Sequence, residues 1–99
     1  MISETPKVSN QDESIDKQYY LDEMVKNLPV LRACVRISQR ELANQIGITR
    51  QSMMAIETGK RSLQWSTYLA LVLVFQQNKE SRKLLESFSL FDSSILQQD

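Results

Sequence analysis

The chain of 99 residues has no histidine, a single cysteine, two glycines and two prolines. Without histidine it can build neither a Cys/His zinc site nor histidine-based acid–base catalysis. Cys34 alone cannot close an internal disulfide, and on an apolar helical face it is expected to be a small buried hydrophobe. A glycine-rich phosphate loop is missing too. These absences predict a protein that is not an enzyme and holds no metal or cofactor. The longest apolar run, residues 68–75, falls far short of the roughly 20 residues that span a bilayer. A charged start followed by an apolar stretch, the mark of a signal peptide, is also lacking, so a cytoplasmic protein with no membrane partner is expected.

Net charge is zero, but its distribution is uneven. Residues 1–27 carry three basic side chains against six acidic ones, and residues 66–99 carry three against four. Between them, residues 28–65 hold six basic residues against two acidic, and five of the six are arginine. Arginine offers a planar fork suited to phosphate and to guanine edges, so the charge pattern points to a polyanionic partner for the middle of the chain.

That middle contains both glycines. In residues 38–59, Leu42, Ala43 and Ile46, then Met53 and Ile56, show the spacing of two short helices that each bury one face. Gly47 accepts the left-handed backbone that ends the first, and Ile48 can pack back behind it. Ser38 with Glu41 makes a capping box at the first helix start, and Thr49 caps the second. Gly59 closes the second, with Lys60 and Arg61 beside the negative end of its dipole. Ala43 is small enough to let the second helix cross close over the first.

This pattern resembles the helix-turn-helix of the Cro and phage-repressor type, the Xre family. The resemblance rests on Ala43, Gly47, the apolar positions Leu42, Ile46, Ile48, Met53 and Ile56, the closing Glu57 and Gly59, and Arg32 in the preceding helix. It covers residues 28–75, about half of the chain. It implies an all-α, compact five-helix lambda-repressor-like domain, here with an extra N-terminal helix and a C-terminal helical segment. It also implies an ion pair between Arg32 and Glu57 that fixes the second helix. One departure is the loop Ser62-Leu63-Gln64-Trp65, which replaces the polar-proline turn frequent in the family.

In chain order, residues 1–14 are polar and read as a disordered tail. Residues 15–27 read as an accessory amphipathic helix, with a break at Asn27, Leu28 and Pro29. Asn27 is expected to cap a new helix from Pro29 to Arg36, with Val30, Leu31, Cys34 and Val35 inward. This opens the helix-turn-helix domain, residues 28–77. Trp65 is expected to anchor the following loop in the core, and Ser66 to cap a helix that is apolar nearly all round and must therefore bury more than one face. Residues 78–99 read as an amphipathic segment from Ser81 to about Phe91 and a fraying tail. The apolar surplus after Ser66 predicts a homodimer, or a protein partner at the C-terminal segment.

In a helix-turn-helix the second helix lies in the major groove and the first crosses the backbone. The base-reading candidates are then Arg50 for guanine, Gln51 for adenine, and Met54 and Ala55 for a thymine methyl. Ser38 and Gln39 at the start of the first helix, with Ser52, Lys60 and Arg61, are the phosphate candidates. The expected function is a sequence-specific regulator of double-stranded DNA, a repressor by family analogy. The alternative is an antitoxin or other interaction module that uses the apolar C-terminal segment.

Overall fold

In a computed structural model that describes residues 16–88 and Leu90, the chain forms five helices and no strand among the described residues. The first, α1, runs unbroken over Lys17–Val35, with Asp16 accepting from the Tyr19 N–H at its start. The break expected at Asn27 to Pro29 is not there, and the accessory helix and the first domain helix are one. Met24, Leu28 and Leu31 share one fully buried face, and its packing outweighs the backbone hydrogen bond that Pro29 cannot donate. Asn27 caps nothing, its side-chain amide donating to the Glu23 carbonyl at 2.8 Å. The same continuity corrects Val30, expected inward. Two residues past Leu28 it falls on the opposite side of the helix and is 49% exposed. Cys34 is partly buried rather than enclosed.

α1 ends at Arg36, a non-glycine residue in the left-handed region (φ 61°), where the N–H groups of Arg36 and Ile37 donate to Ala33 and Arg32. α2 (Gln39–Ile46) and α3 (Arg50–Glu57) follow, as expected from their caps. α4 (Trp65–Gln76) starts one residue before the expected cap Ser66. Its N-cap is Gln64, which makes no side-chain capping bond. Burial makes up for this, with Tyr68, Leu71, Val72 and Phe75 all fully enclosed. Trp65 stacks on Tyr68 at 4.7 Å between centroids, and the Lys17 ammonium lies over the Trp65 ring, 5.1 Å from its centroid.

α5 (Lys79–Ser87) begins earlier than expected because Asn78 caps it, accepting from the Glu80 and Ser81 N–H groups, and it ends at Ser87, short of the expected end. Ser81 is fully buried and donates to the Phe75 carbonyl at 2.5 Å, which pins the α4–α5 corner. Beyond α5, buried Leu90 accepts a hydrogen bond from the Tyr68 hydroxyl through its carbonyl. Burial, then the neighbouring Tyr20, pushes the Tyr68 phenol well above its ordinary range.

α1 and α4 form the centre. α2 packs on α4, α3 on α1 and α2, and α5 on α1 and α4. This leaves α2 and α3 as a pair laid across one side of the core, with their outer faces in solvent. No helix among the described residues is long and apolar enough to cross a membrane. The expectations for residues 1–14 and for the tail after Phe91 lie outside the described residues.

Candidate nucleic-acid interface

Each of the two short helices is held at both ends by its own sequence. At the start of α2, the Glu41 N–H donates to the Ser38 hydroxyl oxygen at 3.0 Å and the Ser38 N–H donates back to the Glu41 carboxylate at 2.9 Å, a complete capping box. Gly47 closes it in the left-handed region (φ 83°), and the N–H groups of Gly47 and Ile48 both reach the Ala43 carbonyl. At the start of α3, the Ser52 N–H donates to the Thr49 hydroxyl at 3.0 Å. Its end is a Schellman turn around Gly59 (φ 81°), with Gly59 donating to Ile56 and Lys60 to Ala55. Helices of eight residues do not persist alone in water, so these caps and the buried inner face (Leu42, Ala43, Met53, Ile56) are what define them.

The angle of α3 is fixed by a three-part polar network. Arg32 of α1 grips Glu57 with both limbs of a fork, Nε to Oε2 at 2.8 Å and Nη2 to Oε1 at 3.0 Å, as the resemblance implies. Gln39 of α2 adds a third bond to Glu57, Nε2 to Oε1 at 3.0 Å. The side chains are 19% and 6% exposed for Arg32 and Glu57. At such burial a bidentate, fully bonded pair is costly to break from one side. One carboxylate thereby ties three helices together at the end of α3.

The outward face of α3 carries Arg50, Gln51 and Met54, all exposed. Ala55 is half-buried on the flank, and its carbonyl takes the N–H groups of Lys60 and Arg61. Beside Arg50 an open cleft of about 590 Å³ is lined by Arg32, Ser38, Gln39, Arg40 and Arg50. Arg32 is neutralised by Glu57, whereas neither Arg40 nor Arg50 joins an ion pair among the described residues. Gln39 and Arg40, which line the cleft, are the first two residues of α2, and their backbone N–H groups have no intrahelical acceptor. Cleft and helix end together can hold an oxyanion.

On the other side of α3, Arg61 donates from Nη1 to the Ser52 hydroxyl at 2.8 Å, and Thr49 donates to the same oxygen at 3.0 Å. The structure therefore sorts the phosphate candidates into two groups, Ser38 and Gln39 in the arginine cleft, and Ser52 with Arg61 across the helix. Lys60 is exposed on the loop between Gly59 and Arg61. Sequence reasoning missed Arg40 as a wall of the cleft, Gln39 as a partner of Glu57, and the bond from Arg61 to Ser52. Neither bond has a local signature, since its partners lie 18 and nine residues apart and meet only through the fold. A scan against protein-family models and searches of curated proteins and of solved structures found no match.

Proposed function

We infer that this chain is a sequence-specific regulator of double-stranded DNA of the Xre helix-turn-helix type, acting as a homodimeric repressor and carrying out no catalytic step. The observation that supports this best is the placing of Arg50, Gln51 and Met54 on the one exposed face of a helix flanked on both sides by groups that suit phosphate. A helix laid in the major groove presents its first residues to base edges. There Arg50 suits guanine, Gln51 adenine and Met54 a thymine methyl, with Ala55 within reach at the flank. Each good polar pair discriminates by about 1–3 kcal/mol. The part of the cleft formed by Ser38, Gln39 and Arg40 would take one backbone, and Ser52, Lys60 and Arg61 the other. Arg32 and Glu57 act indirectly by holding the helix at its angle.

Fluorescence anisotropy tests the reading, with duplex DNA from the promoter beside the chain's own gene set against unrelated duplex across a salt series. The expected result is preference for the promoter, with a log–log salt slope that reports several phosphate contacts. Arg50→Ala/Gln51→Ala is expected to lose the preference and keep the weak, salt-sensitive background binding. Equal, weak binding of both duplexes by the unmodified chain at low salt would defeat the reading for that promoter.

A further inference from the structure

The outer face of α4 is apolar and open. Residues 62–78, which include all of α4, hold no charged side chain. Opposite the buried side of the helix, Leu73 stands 53% exposed, more than any other large apolar side chain among the described residues. Gln77, one turn further along the same face, lines an open groove of about 210 Å³ where the end of α4 meets α1 and α2. The apolar walls of this groove are Val35, Ile37 and Val74, each partly buried against the core. Its polar walls are Gln45, Gln77 and Asn78, so no charged residue lines it. An apolar knob and an uncharged hole thus lie one turn apart on one molecule.

We propose that the groove is filled by Leu73 of a second copy of the chain, in a twofold dimer in which each copy gives its own Leu73 and receives the partner's. This names the surface behind the homodimer of the proposed function, and it rests on that part of the reading. A twofold axis requires one patch to serve both copies, and a knob and a hole on the same patch meet that requirement. The lack of charge matters because an exposed charge on such a patch would face its like across the axis or lose its water unpaired. At about 30 Å³ for each water-sized unit of liquid volume, the groove admits about seven non-hydrogen atoms, more than a leucine side chain needs. The patch uses no residue of α3, so Arg50, Gln51 and Met54 are left free. α4 is about 18 Å long and about 10 Å across, so this face and groove together are well below the about 800 Å² per partner of a standard interface. Dissociation in the micromolar range is expected.

The test is sedimentation equilibrium of the full chain, without DNA, from roughly 1 µM to roughly 1 mM. A rise from the monomer to twice its mass is expected. Leu73→Glu, at an exposed position, should weaken the dimer about tenfold or more and leave the helical circular dichroism unchanged, because its carboxylate would enter an uncharged groove unpaired. Leu73→Lys and Gln45→Glu should each weaken self-association, and their equimolar mixture should restore it, since a lysine then meets a glutamate across the axis. A dimer unmoved by Leu73→Glu, or a mixture no stronger than its parts, would overturn this interface and leave the homodimer standing. A monomer at every concentration would overturn both. Promoter preference is measured separately by anisotropy, so the base-reading assignment stands or falls without this result.

Discussion

The pair α2–α3 and the helix α4 solve the same problem by opposite means. α2 and α3 are eight residues each, begin with a side-chain cap and end near a left-handed glycine. α4 is longer, has no capping side chain and is held by the burial of Tyr68, Leu71, Val72 and Phe75. A helix that must keep one face polar and open cannot draw all its stability from packing, so local hydrogen bonds and the Glu57 network carry more of it. A helix enclosed on several sides has no such need. Information is therefore written locally where a surface is kept free, and non-locally where it is not.

The contrast can be broken most severely from the packed side. Phe75→Ala should cost about 3–5 kcal/mol, read as a fall in the urea midpoint, because the cavity cannot be refilled by rigid neighbours. On the open side, Glu57→Ala should cost about 3 kcal/mol by leaving the Arg32 guanidinium half-buried and unpaired. A loss below about 1 kcal/mol there would mean that α3 is held by packing after all, as surface pairs usually contribute no more than that. A sharper comparison sets Thr49→Ala against Gln64→Ala. Removal of the α3 cap should lower stability by about 1 kcal/mol, and substitution at the start of α4 by almost nothing. Equal effects would erase the distinction between the two helices.

Tyr68 gives the packed side a dependence on pH. Its phenol is pushed upward by burial, so the folded chain keeps a proton that the unfolded chain releases above about pH 10. The unfolded state then binds fewer protons, and the stability contributed by this group is complete below that pH and falls above it. Tyr68→Phe should cost about 1 kcal/mol at neutral pH through the lost bond to Leu90. It should also show a shallower alkaline decline than the unmodified chain in parallel urea titrations. The smallest effect expected is a gain. Arg36 sits at φ 61°, and Arg36→Gly should relieve about 1 kcal/mol of left-handed strain, partly offset by the freer unfolded chain.

What could be read from the sequence follows the same division. Ser38, Glu41, Gly47, Thr49 and Gly59 each state a backbone requirement through their own chemistry, and each is found in its expected role. Pro29 misled because its missing N–H is a local signal, while the face of Met24, Leu28 and Leu31 that overrides it is tertiary. Ser66 misled for a related reason: a capping side chain was available one residue inside the helix, but the enclosed face had already set where α4 begins. Arg36 had no visible mark, because glycine announces a left-handed residue and arginine does not. At the candidate interface the outward residues of α3 were legible from helical spacing. The grouping of Arg40 with Arg50, and of Arg61 with Ser52, required the fold to be known.

The stack of Trp65 on Tyr68 has an optical consequence. Trp65 is the only tryptophan, so the whole indole emission of the chain arises at the place where Lys17 of α1 meets the first turn of α4. Separation of these two helices should move that emission to the red and change its lifetime, while fraying of α2 or α3 should leave it unaltered. A single native chromophore thus serves as a gauge of the core alone, against which circular dichroism of the whole chain can be compared to see whether the outer pair melts with it or before it.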